Sequence, residues 1–196
     1  SSSLSDDFVY DILKDNEGGL WITTYFGGIN YSNPNSSNFT IRHCATESAR
    51  GRIISKFHED KNGDIFIGTD DGGLFIYNPI KDKCHRYTID KSNPNLNIHA
   101  IWSNDTYLWI GTYSKGLYRI NHKTKYVEHI PYFEKDGITN ESIYSIHEDL
   151  SGKIWIGTKT AIWTWTKKHG FIKEKELGYN SDIIAICEDL KGSIWF

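Results

Sequence analysis

Apolar residues in this chain come in bursts of four or five that recur at long, regular intervals, and nowhere do they follow the spacing of a helical stripe. The clearest burst, Ile154-Trp155-Ile156-Gly157-Thr158, has counterparts at Trp21-Ile22-Thr23-Thr24, Phe66-Ile67-Gly68-Thr69, Trp109-Ile110-Gly111-Thr112 and Trp195-Phe196. Their aromatic residues stand 45, 43, 46 and 40 residues apart, counted from Trp21 to Trp195. That is the period of a four-stranded propeller blade.

Each unit reads strand by strand. A β-branched run at 9–12, 54–57, 98–101, 143–146 and 183–186 predicts a first strand, too short for a helix and bounded by turn formers. The Trp-Ile-Gly-Thr burst is the second strand. A third starts at Gly28, Gly73, Gly116 and Ala161, and a fourth, less regular one covers 39–43, 84–89, 126–130 and 171–175. Between the first two strands stands an acid six residues before the aromatic (Asp15, Asp60, Asp149, Asp189), with glycine three residues after it (Gly18, Gly63, Gly152, Gly192). An aspartate that caps its own turn, followed by glycine at a positive-φ position, predicts a tight hairpin. The third repeat has Asn104-Asp105-Thr106-Tyr107 instead and should turn differently.

Composition agrees with an all-β chain: 17 Gly, 12 Tyr and 7 Trp with no Met favour turns and aromatic-rich strands. The expected fold is a partial β-propeller of four-stranded antiparallel blades at 4–48, 49–93, 94–138 and 139–178, with an incomplete fifth at 179–196. All of it forms a single domain. Because the sequence stops inside a core strand, it reads as an excised piece of a longer propeller. Its end blades would then expose faces that seek cover, and a homo-oligomer through those faces is expected.

The run from Ile143 to Thr158 has the pattern Ile-x-x-Ile-x-Glu-Asp-x-x-Gly-x-Ile-Trp-Ile-Gly-Thr in nearly complete form. It resembles the two-component regulator propeller repeat, closely in the second and fourth repeats and more loosely in the first and third. The resemblance implies the periplasmic sensor region of a hybrid two-component system, in which paired propellers precede a β-sandwich, a membrane span, a histidine kinase and a response regulator. It also implies carbohydrate sensing and signal transduction. Asp-box and quinone-binding propeller motifs order their Trp and Gly differently.

Chemistry narrows the function further. No carboxylate pair stands out as acid and base, and no glycine-rich phosphate loop precedes a helix, so the fragment is expected to be no enzyme. The eight His show no metal-ligand spacing, and neither metal nor cofactor is expected. The three Cys are odd in number and sit at non-equivalent repeat positions, which speaks against a disulfide framework and leaves one pair open. With 22 basic and 25 acidic residues and no basic stripe, nucleic acid is excluded as a partner. No apolar run suits a membrane span, and Ser1-Ser2-Ser3-Leu4 is no signal peptide.

The recurring aromatics read as wedges between blades, and the recurring acids as turn caps. Recognition should lie where repeats differ: in the turn between second and third strands and in the loops entering the first strand, which leave the sheets on one face. The candidate ligand residues are Tyr25, Phe26, Arg52, Asp70, Asp71, His99, Tyr113, Lys115, Asn140, Glu141 and Lys159. Aromatic faces beside amides, acids and bases suit an oligosaccharide. The alternatives are a protein-interaction scaffold that assembles a dimer without a small ligand, and a carbohydrate-active propeller enzyme.

Overall fold

Every apolar burst up to Ala161 lies in a strand. The computed structural model describes residues 4–25, 27–33, 39–42 (backbone alone), 44, 53–130, 142–177 and 182–196, and all regular structure among them is β. The first sheet holds β1 (Val9–Lys14), β2 (Leu20–Thr24), β3 (Gly28–Ser32) and β4 (Phe39–Arg42), and the second β5 (Ile54–Glu59), β6 (Ile65–Thr69), β7 (Leu74–Asn78) and β8 (Lys83–Tyr87). The third holds β9 (Ile98–Ser103), β10 (Tyr107–Thr112), β11 (Leu117–Asn121) and β12 (Val127–Ile130), and the fourth β13 (Ile143–Glu148), β14 (Ile154–Thr158), β15 (Ala161–Thr166) and β16 (Gly170–Glu176). In each sheet the strands lie in chain order. These are four antiparallel propeller blades, and β17 (Cys187–Glu188) with β18 (Ile194–Trp195) begins a fifth. The first strand expected at 183–186 is displaced to Cys187–Glu188, the residues that pair with Trp195 and Ile194.

The chain divides into two compact units, Ser1–Ile98 with Ser103–Asp105, and His99–Trp102 with Thr106–Phe196. In the first, Trp21, Ile29, Ile54, Phe57, Ile65, Ile67, Phe75 and Tyr77 form a core between the first and second sheets. In the second, Trp109, Leu117, Ile143, Ile146, Ile154, Ile156 and Trp163 do the same between the third and fourth. All five residues of β6 are buried. A strand covered on both faces loses its alternation and becomes a continuous apolar run, which is why the bursts stand out.

The recurring motif has a part for each residue. In the first repeat one oxygen of Asp15 accepts the Gly19 N–H at 2.6 Å and the Glu17 N–H at 3.1 Å, while the other accepts the Trp21 indole N–H at 2.8 Å. Asp149 with Trp155 (2.7 Å) and Asp189 with Trp195 (3.0 Å) repeat the arrangement. The six-residue spacing therefore places one carboxylate across both the hairpin and the next strand. The hairpin glycines have φ between 78° and 86°, as their turns require. Where Phe66 replaces the indole, the spare Asp60 oxygen takes the Asn62 amide instead at 3.0 Å. Gly111 admits the first strand of the following sheet, and Gly157 the segment that leads to β17: a Cβ on Gly111 would stand 2.6 Å from Ile143 Cγ2, and one on Gly157 2.5 Å from Ile183 Cγ2. Two of the glutamates that precede these acids reach back to the preceding hairpin: Glu59 accepts the Asn16 N–H at 3.2 Å and Glu188 the Leu150 N–H at 2.9 Å.

The third repeat departs as expected. No residue of its hairpin has positive φ, and the Trp109 indole N–H, in a fully buried side chain, has no partner among the described residues. Arg119 lies over the ring instead, its guanidinium 4.7 to 5.1 Å from the ring centres of Tyr107, Trp109 and Trp165 and bonded through Nε to Glu128 at 3.0 Å.

At Asp149, burial raises the carboxyl pKa, but hydrogen bonds from the Ser151 hydroxyl, the Trp155 indole and the Lys153 and Ser151 N–H groups outweigh it and hold the pKa below its ordinary value. Asp149→Ala is expected to cost about 2 kcal/mol in urea unfolding, since hydrogen bonds to a charged group are lost. Asp149→Asn should recover only part of this, because an amide nitrogen cannot accept from the indole.

The one cysteine pair that the sequence left open is present. Cys44 and Cys84, 40 residues apart, form a disulfide inside the first unit, and Cys187 is free and exposed. Cys44 follows β4 whereas Cys84 lies within β8, so comparing repeats position by position does not bring the pair together.

Candidate functional site

Chain-ordered antiparallel strands send the turns between second and third strands out at the same end of each sheet as the entries to the first strand. Those turns are fastened by the motif threonine: Thr69 and Thr112 hydroxyls donate to the Gly73 and Gly116 carbonyls at 2.8 and 2.6 Å. In the third repeat, Ser142 also takes the Ser114 N–H at 3.0 Å, holding Ser114 at a φ of 56°. The turn is a fixed platform.

The first strand carries a bulge at the same end. Register slips between Val9 and Asp11, Ile54 and Lys56, and Ile143 and Ser145, leaving Tyr10, Ser55 and Tyr144 as the extra residues. His99 holds the same position in the third repeat. A bulge re-aims its side chain, and here it meets the turn. Tyr10 stacks on Tyr25 with centroids 5.8 Å apart and planes at 21°. In the second unit the His99 ring lies 5.9 Å from Tyr113 and 5.6 Å from Tyr144, edge-on to the latter.

Each cluster has an acid beside it. Burial raises the Tyr10 hydroxyl pKa, with Asp70 and then Tyr25 adding to it. Tyr144 is raised by burial and then by Asp182, against a hydrogen bond with Ser142. The arrangement offers aromatic surfaces flanked by acceptors.

Of the residues expected from sequence, Tyr25 and Asp70 converge in the first unit, and His99 and Tyr113 in the second. Asp71 is half-buried next to Asp70, and Lys115 and Lys159 are exposed on their turns. The Lys115 carbonyl accepts from His129 Nε2 at 2.7 Å. Phe26, Arg52, Asn140 and Glu141 lie outside the described residues. Sequence reasoning missed Tyr10 and Tyr144 and left Asp182 out of the candidates. The signal was available as an aromatic residue one place after the first strand begins, but its meaning depends on the bulge. Among the described residues no group of three His, Cys, Asp or Glu could hold a metal, and no helix is long and apolar enough to cross a membrane.

A model of the family described as two component regulator propeller matches residues 3–26, which contain the first acid-to-indole unit. The chain is 27% identical over 138 residues to histidine kinase P4 of Formosa agariphila, covering 67% of this chain and 10% of that protein. The extracellular domain of the hybrid two component system BT3049 from B. thetaiotaomicron superposes with a TM-score of 0.80 at 26% identity, over 99% of this chain and 26% of that one. Virginiamycin B lyase from Staphylococcus aureus, with a TM-score of 0.77 at 16% identity over 96% of this chain and 62% of the lyase, is alike in fold alone. The chain thus spans about a quarter of the extracellular domain and a tenth of the kinase it matches.

Proposed function

We propose that this chain, which carries the two component regulator propeller repeat, is part of the extracytoplasmic sensing region of a hybrid two-component receptor and that its ligand is an oligosaccharide. The observation that carries the reading is the meeting of His99, Tyr113 and Tyr144 on a fixed turn, echoed by Tyr10 and Tyr25 in the same repeat positions. Ring faces take up the C–H faces of sugars, while Asp70, Asp182 and Ser142 supply acceptors for hydroxyls. Likeness to an extracellular domain supports export, with the periplasm as the compartment. The Cys44–Cys84 bond supports it too, because structural disulfides persist where the surroundings oxidise. Asp71, Lys115 and Lys159, with Phe26, Arg52, Asn140 and Glu141, are rim candidates. Binding involves no turnover.

Calorimetric titration with oligosaccharides from polysaccharide breakdown tests this. A binder should lose at least about tenfold in affinity, roughly 1.4 kcal/mol, in Tyr113→Ala. A sugar that binds equally well to Tyr113→Ala and Tyr25→Ala, or that is cleaved, would count against the reading.

A second reading rests on exposure. Val9 and Ile12 are 43% and 60% exposed, whereas their counterparts Ile54 and Phe57 are 4% and 5% exposed. Elsewhere these positions lie under a sheet of the same repeat, so the occupant that fits is a sheet from a second copy. Light scattering should then show a concentration-dependent dimer, which Ile12→Lys abolishes. A monomer at all concentrations would rule it out.

A further inference from the structure

The first unit contains a cavity of about 420 Å³ at the end of its sheets opposite the tyrosine cluster. One wall is the hairpin of the first sheet, with Asp15 and Glu17. The other is that of the second sheet, with Glu59 beside it. Trp21, Tyr31 and Tyr77 form the inner surface, with the Trp21 ring 4.5 Å from Tyr31 and 5.4 Å from Tyr77, centre to centre. These rings are held in place: the Trp21 N–H is bound by Asp15, and the Tyr77 hydroxyl donates to Asp82 at 2.7 Å. The volume lies in the range of small-molecule sites and exceeds a single sugar ring.

The charge within it is one-sided. Three carboxylates line it against one cation, Lys61, which is itself paired with Asp105 at 2.6 Å. Their field is felt by groups in the wall. Burial raises the Tyr31 hydroxyl pKa, and Asp15 and Glu17 raise it further. Burial likewise raises Glu59, the Asn16 hydrogen bonds oppose it, and Asp15 and Asp60 add to it. An anion is disfavoured here. A bare metal ion is as well, because the Asp15 oxygens already accept from Gly19, Glu17 and Trp21, and no three ligands converge among the described residues.

We propose that this cavity binds an organic ammonium ion of sugar-ring size, an amino sugar, with its charge against Glu17 and Glu59 and its carbon frame on Trp21 and Tyr31. Carboxylate pairing then acts on the ammonium and ring contact on the carbon frame, inside a wall that lowers the local dielectric. The amides of Asn16 and Asn62 at the rim supply partners for ring hydroxyls. The site is separate from the tyrosine clusters and does not depend on the oligosaccharide reading.

The test is titration of the whole chain with glucosamine at about pH 6.5, where an ordinary amine is protonated, with glucose and N-acetylglucosamine as uncharged frames. Glucosamine should bind at least tenfold more tightly than either, weaken as salt is added, and weaken at least tenfold in Glu17→Gln and Glu59→Gln. Tyr113→Ala should leave it unchanged, which separates this site from the turn cluster. Glu17 is exposed, so Glu17→Gln decides the matter even if Glu59→Gln disturbs the contact with Asn16. No glucosamine binding, equal binding of glucose, or indifference to Glu17→Gln would each overturn the proposal.

Discussion

Reduction of the Cys44–Cys84 bond is expected to lower the urea midpoint by about 2 M, the largest loss of stability that any single covalent change should produce here. The bond closes a loop of 40 residues. In the chain-entropy account, opening such a loop frees the unfolded chain by about 4 kcal/mol. With a denaturant slope of about 2 kcal/mol/M, that becomes the stated shift. Cys44 and Cys84 also pack against the core of the first unit, so Cys44→Ser with Cys84→Ser should destabilise at least as much as reduction. Cys187→Ser belongs in the reference protein, because that exposed thiol could exchange with the bond. A midpoint unmoved by reductant would mean that the bond adds nothing to the fold. The inference of an oxidising compartment would then lose one of its two supports.

Residues that act within their own repeat were legible from the sequence. Asp149, Gly152 and Trp155 do their work inside one hairpin, and the same work is done at Asp15 and Asp189, so recurrence in the sequence displays it. Tyr25, Asp70 and Tyr113 stood out for the opposite reason: they differ between repeats at the turn that follows the motif threonine.

What stayed hidden acts across repeats or between unlike positions. Glu59 reads as one more solvated acid until it is seen to hold the hairpin of the preceding sheet. Arg119 comes from a different strand to lie over the Trp109 ring, whose N–H has no carboxylate among the described residues, which no comparison of aligned positions reveals. Tyr144 joins His99 only because a bulge re-aims it. The cavity of the first unit is built from Asn16, Glu17 and Asn62, each of which looks like an ordinary turn former in its own hairpin.

Acid should unfold the chain in a step that begins well above the carboxylate range, and His58 is its source. Burial lowers the imidazole pKa from 6.5 to about 4, against the pull of Asp60. The Ser103 N–H donates to Nε2 at 3.0 Å, so that nitrogen carries no proton in the fold. Between these two pKa values the unfolded chain binds the proton and the folded one does not. The associated stability is therefore complete above pH 6.5 and is lost as pH falls toward 4, amounting to about 3 kcal/mol. Asp149, held below its ordinary value, acts with the same sign but in a lower window, as pH falls through its folded pKa. Glu59, raised by burial, acts with the opposite sign, so the step is best read as a difference between proteins. His58→Gln keeps an acceptor for the Ser103 N–H and removes the titration. Urea unfolding of the two proteins from pH 7 to pH 4 should show the variant losing about 3 kcal/mol less than the parent. Parallel curves would mean that the imidazole is solvated enough to take up its proton in place, and the acid step would have to come from the carboxylates.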